Sequence, residues 1–282
     1  FRLISKTWKK GLAYLILLGV GFLMIYPLIW LFFATFKTNQ ELFGKLSLWP
    51  ENFSLDGIIN GWKGSGQFTY TTFYKNTFLM VIPTVIFTVL STGIVAYGFA
   101  RFSFPCKKIL FLLMISTLML PDSVIIIPRY VLFHKFGWVD TYMPFWMPGL
   151  LACYPFFIFM QVQFLRGIPR ELDESACVDG CNPFMTYVKI LFPLMKPAVF
   201  SVIIFQFLWR WNDYFNNLIY ISSVKKYTLS LALKMSIDGT GAVTQWNQVL
   251  SMSFLSMIPP TLLYFFAQDY FVEGITAGGV KG

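Results

Sequence analysis

The uncharged run over residues 11–36 constrains this chain more than any other feature. It exceeds the roughly 20 apolar residues that carry an α-helix across the hydrocarbon layer of a bilayer. Lipid offers no hydrogen-bond partners to a backbone, so such a stretch crosses as a helix. Arg2, Lys6, Lys9 and Lys10 precede it and no small-residue cleavage site follows, which predicts a retained transmembrane helix rather than a secretory leader. Five further spans are expected at 77–100, 109–128, 141–165, 198–221 and 247–271, with prolines inside several of them. Composition agrees: charged residues are 12% of the chain, against about a quarter in a soluble domain. The expected architecture is a single all-α membrane domain over 1–282.

The net charge of +9 does not mark a nucleic-acid surface, because the bases sit near span ends rather than on a soluble module. Twelve bases, including Arg101, Lys107, Lys108 and Arg166, fall in short segments on the side that holds both termini, and nine fall in longer loops on the other. By the positive-inside rule the termini and the 166–197 connection are expected in the cytoplasm.

That connection is a polar island between two apolar spans. Pro169, followed by Glu171, Asp173 and Glu174, reads as a helix start, and Gly180 as its exit. Asn182 then reads as the cap of a second helix with Pro183 in its first turn, running through Phe184, Val188 and Leu191 to Pro193. The result is a helix-glycine-helix hairpin at the membrane surface.

Glu174-Ser175-Ala176, then Gly180 after three intervening residues, and Ile190 with Pro193 after nine more, resemble the EAA loop of permease subunits of bacterial ATP-binding-cassette importers. Ser175 replaces an alanine of that pattern and Phe192 a leucine. Trp211-Asn212-Asp213 resembles the W-N-[DE] signature of carbohydrate importer permeases, and the ending from Tyr270 to Gly282 resembles the terminus of the maltose-type, MalG-like subgroup. Together with Tyr26-Pro27 and Trp30, these patterns extend the likeness over nearly the whole chain.

The resemblance implies a type I importer fold in the bacterial inner membrane. It also implies a second permease subunit, a dimer of ATPase subunits and an extracytoplasmic sugar-binding protein. Glu174, Ser175, Ala176, Gly180, Ile190 and Pro193 would form the coupling contact with the ATPase, joined by Gly274, Thr276, Gly278 and Gly279 near the C-terminus. The loop 222–246 would reach the binding protein. ATP and Mg would belong to the ATPase partner, since this chain has no phosphate-cradling G-x-x-x-x-G-K-[ST] loop and no cofactor is expected on it.

No enzymatic constellation is visible. A single histidine, His134, makes no histidine-based metal site, and Cys177 and Cys181 read as reduced packing residues. Arg210 is unexpected inside a span. Asp213, three residues on, shares its helical face and could neutralise it. Alternatively Trp209, Arg210, Trp211, Asn212 and Asp213 line a pathway for an acidic, uronate-type oligosaccharide, since aromatic faces suit sugar rings and a guanidinium suits carboxylates. An importer permease for a neutral sugar or other small solute, and a stand-alone secondary carrier or channel, are the competing readings; a carrier or channel has no need of the hairpin.

Overall fold

The computed structural model describes residues 2–44, 47–64, 67–238 and 244–279, with the backbone alone for 2–9, 238 and 270–279. Among these the regular structure is helical, with no strand. The chain divides into two compact units, 1–71 with 232–258, and 72–231 with 259–282.

The first unit opens with α1 (Arg2–Ala34), whose membrane-length segment Lys10–Ala34 buries none of its most apolar window. The connection that follows carries two short helices, α2 (Asn39–Gly44) and α3 (Asp56–Lys63). Gly57 and Gly61, one turn apart, let α3 lie on the 247–252 backbone: a Cβ on Gly57 would stand 2.8 Å from the Asn247 carbonyl. Small residues at this spacing bring helices to close approach.

The second unit is organised around α4 (Tyr70–Arg101), which begins in the first unit, seven residues before the expected start of its span. Its buried residues Met80, Thr84, Thr88, Thr92 and Ala96 recur every four positions and form one stripe. The threonines are compatible with burial because each hydroxyl donates to a carbonyl of its own helix, as Thr88 does to Thr84 at 2.7 Å. Against this stripe lie α7 (Met143–Leu150), fixed by Ser91 Oγ donating to the Gly149 carbonyl, and α8 (Pro155–Gly167), whose Gln161 donates to Thr92 at 2.7 Å. α12 (Lys196–Trp211) joins them through Gln206, which donates to Thr88 at 3.2 Å.

Two of the expected spans are interrupted. Over 107–135 the chain forms α5 (Lys107–Ser116), a 3-10 turn and α6 (Asp122–Lys135), with a 105° change of direction. Pro121 is the physical cause: it forces Leu120 to an extended ψ of 120°, which ends the helix. α6 then continues through Arg129 to Lys135, residues expected in a connection. Within 198–221, α12 stops at Trp211 and α13 (Phe215–Tyr220) follows. Here polar side chains compete with the helix: Asn212 donates back to the Leu208 carbonyl, and the Asp213 carboxylate takes the Asn216 N–H.

A loop then leads to α14 (Leu229–Asp238), and α15 (Trp246–Gly279) carries Pro259 and Pro260 inside it. Lys10–Ala34, Tyr70–Arg101, Met143–Gly167 and Trp246–Asp269 are long and apolar enough to cross a membrane. Counting each of two bent helix pairs as one span brings the total to six.

Candidate functional site

The polar hairpin forms as its residues dictate. α9 (Glu171–Val178) carries Glu171, Asp173 and Glu174 in its first turn, where the helix dipole favours acids. It ends in a Schellman reversal: the Cys181 N–H donates to the Ala176 carbonyl and the Gly180 N–H to Cys177, with Gly180 at φ +79°. Asn182 Oδ1 accepts from the Met185 N–H at 2.8 Å, capping α10 (Pro183–Thr186). A π-helical turn, Tyr187–Leu191, and α11 (Phe192–Leu194) complete the second arm, and a 76° bend leads into α12.

Both arms are tied to the end of α4. Arg101 pairs with Asp173 at 3.0 Å and donates to the Ile168 carbonyl at 3.0 Å, with its side chain only 8% exposed. The Tyr97 hydroxyl donates to the Pro183 carbonyl at 3.1 Å. Between α4 and the hairpin lies a cleft of about 280 Å³ lined by Tyr97, Arg101, Arg170, Glu174, Cys177 and Cys181.

Of the residues singled out in the sequence, Ala176 is buried at 2%, Ile190 half-buried, and Glu174, Ser175, Gly180 and Pro193 exposed. Ser175 donates to the Glu171 carbonyl at 2.8 Å. Both arms also expose apolar side chains, Val178 at 88% and Phe184 at 68%. Arg101, Tyr97 and Val178 escaped sequence reasoning. The available signals are a base closing the uncharged stretch 76–100 of its helix, and an apolar residue immediately before Asp179-Gly180. Gly274, Thr276, Gly278 and Gly279 lie on the α15 backbone in a stretch whose side chains are outside those described, and Val280 to Gly282 lie outside the described residues altogether.

About 21 Å along α12 from Lys196, at its far end, is Arg210. It pairs with Asp213 at 2.6 Å and lies 5.7 Å from the Tyr154 ring centroid, while its Nε is buried without an acceptor. Arg129 pairs with Asp122 at 3.5 Å. The two tryptophans part company. Trp209 is half-exposed against Phe156 and Phe157, whereas Trp211 is buried at 4%, stacked on Phe207 and edge-on to Phe78. Asn212 is exposed.

Near this end an unforeseen latch joins two loops. The Asp140 carboxylate accepts from the Ser222 and Ser223 N–H groups, the Ser223 hydroxyl and Lys226. Burial alone would raise its pKa, but these donors outweigh it and hold the carboxyl well below its ordinary value.

The family model "binding-protein-dependent transport system inner membrane component" matches residues 90–277. An arabinooligosaccharides transport system permease protein of Halalkalibacterium halodurans is 30% identical over 99% of this chain and 100% of its own. An sn-glycerol-3-phosphate transport system permease protein of Pectobacterium atrosepticum is 29% identical over 92% of this chain and 94% of its own. A chain of a bacterial ABC transporter involved in the import of the acidic polysaccharide alginate shares the fold, with a TM-score of 0.82 at 20% identity over 93% and 96% of the two chains. With the hairpin, the bent helices and these likenesses together, the chain belongs to the inner membrane components of binding-protein-dependent transport systems.

Proposed function

We propose that this chain is one permease subunit of an ATP-driven oligosaccharide importer and that its hairpin carries the movement of the ATPase into the membrane. The observation that carries this reading is the clamp of both hairpin arms onto α4 by Arg101 and Tyr97. A ligand shifts a conformational equilibrium only through contacts that differ between the states. A hairpin fixed to a spanning helix, with Glu174, Val178 and Phe184 turned outward, is suited to transmit such a difference. A stand-alone carrier needs no such element.

In this reading ATP and Mg reside on a separate ATPase dimer, a second permease completes the pathway, and an extracytoplasmic binding protein delivers substrate to the loop 222–246. The termini and the hairpin face the cytoplasm. Glu174, Ser175, Ala176, Gly180, Ile190 and Pro193 form the coupling contact, and Gly274, Thr276, Gly278 and Gly279 a second contact with the ATPase.

Oligosaccharide as substrate is supported by what the arabinooligosaccharide and alginate systems are named for. Within that class, an acidic sugar is favoured by the guanidinium of Arg210, whose Nε makes no hydrogen bond. Carboxylates suit guanidinium donors in bidentate geometry. The neutral alternative is favoured by the Arg210–Asp213 pair, which cancels the local charge. The test is ATP hydrolysis by the reconstituted assembly in proteoliposomes, scored against neutral and uronate oligosaccharides. Stimulation by uronates alone supports the acidic reading. Stimulation by neutral sugars returns Arg210 to a structural role, and no response to any sugar overturns the oligosaccharide assignment.

A further inference from the structure

Tyr187 occupies the π-helical turn of the hairpin's second arm and is only 6% exposed. Its ring stacks on Tyr97 of α4, with centroids 5.0 Å apart and planes at 29°, and meets Phe192 edge-on. This packing drives the hydroxyl between α4 and α8. The hydroxyl is buried there and has no partner. Gln161, fully buried on α8, uses its Nε2 on Thr92 and leaves its Oε1 without a donor. The two orphaned groups point to one place. Both lie within 3.1 Å of the position a Cβ on Gly93 would occupy, the Tyr187 oxygen at 2.4 Å and the Gln161 oxygen at 3.1 Å.

An unpartnered donor facing an unpartnered acceptor in a buried site is costly, so the pair gains whenever a small movement joins it. The π-helical turn is the element that can make that movement, because inserted turns of this kind relax by shifting their hydrogen-bond register. Gly93 leaves room for it, since any larger residue would fill the gap.

We infer that Tyr187 is a positioning residue whose hydroxyl closes onto Gln161 Oε1 in another state of the transport cycle, forming a latch that passes hairpin movement to α4 and α8. The latch rests on the reading of the hairpin as the coupling element. In the conformation described here it is open, and it supplies the state-dependent contact that coupling requires.

The test uses the complete reconstituted assembly and reads substrate transported per ATP hydrolysed, alongside assembly by size-exclusion chromatography and basal hydrolysis. Tyr187→Phe keeps the ring stack and removes only the hydroxyl. It should assemble and hydrolyse ATP normally while transport per ATP falls at least about fivefold, the lower edge of ordinary coupling free energies. Gly93→Ala drives a methyl into the hydroxyl and should be worse. In Gly93→Ala combined with Tyr187→Phe the hydroxyl clash is gone and the nearest ring atom is Cζ at 3.7 Å, leaving Gln161 Oε1 at 3.1 Å as the one tight contact, so the double variant should recover most of the way to the level of Tyr187→Phe alone. Should Gly93→Ala fail to assemble, Tyr187→Phe decides by itself. Unchanged transport per ATP in Tyr187→Phe, or a double variant as defective as Gly93→Ala, overturns the latch. Glu174→Lys run in parallel separates the two readings: if it uncouples and Tyr187→Phe does not, only the latch fails, and if it leaves coupling intact the hairpin reading fails with it.

Discussion

Arg101→Gln should loosen the hairpin from the spanning helices without unfolding either. The guanidinium is 8% exposed, pairs with Asp173 at 3.0 Å and donates to the Ile168 carbonyl at 3.0 Å. Removing one partner of a fully buried ion pair costs about 3–5 kcal/mol. Asp173 keeps 23% of its side chain exposed and can recover part of its hydration, which brings the expected loss to about 2 kcal/mol. That corresponds to roughly a thirtyfold shift from docked to undocked hairpin. Amide hydrogen exchange over 168–181 reads this directly, and it should accelerate there while the buried stripe of α4 stays protected. A cycle with Asp173→Asn should return a coupling of about 1–2 kcal/mol between the two side chains. Wild-type exchange in Arg101→Gln, or strictly additive single losses, would refute the claim that this pair holds the hairpin.

Other consequences can be checked on the purified chain. At Gly180 a Cβ meets nothing within 4 Å, so Gly180→Ala costs only the left-handed backbone, about 1–2 kcal/mol, read as faster exchange of the Cys181 amide that closes the Schellman reversal. Trp211→Ala should cost about 3–5 kcal/mol by emptying a core site, well beyond Trp209→Ala at its half-exposed position, as measured by thermal unfolding in detergent. Asp140 has a folded pKa below its unfolded value near about 3.9, so its contribution is present above that value and is lost as pH falls toward the folded one. The wild type should therefore lose more stability than Asp140→Asn as pH drops below about 4, and parallel melting curves for the two would contradict this.

The hairpin was legible because its signals are local. Asn182 and Pro183 start a helix wherever they fall, Gly180 ends one, and three acids sit in the turn the dipole favours. The membrane class was legible from the apolar runs for the same reason. Directions were not legible. Pro121 announces an interruption, but the 105° turn it makes depends on what α5 and α6 pack against. The seat of the Tyr187 hydroxyl over Gly93 arises only where residues 94 positions apart meet, so no window along the chain contains it. The separation of Trp209 from Trp211 follows from helical spacing: residues two apart point to nearly opposite faces, and here Trp209 stays half-exposed while Trp211 enters the core. Arg101 reads in the sequence as a topology charge, because the Asp173 it holds lies beyond four intervening helices, α5 to α8.

The central claim is that the hairpin transmits the ATPase movement to the spans, and Glu174→Lys tests it most directly in proteoliposomes carrying the complete importer. Glu174 is exposed beside the clamped face, so the reversal of charge falls mainly on the outward contact, at a cost of about 0.3–1 kcal/mol to the first turn of α9. The account predicts that ATP hydrolysis persists while oligosaccharide transported per ATP falls sharply. Transport per ATP equal to that of the wild type would contradict it.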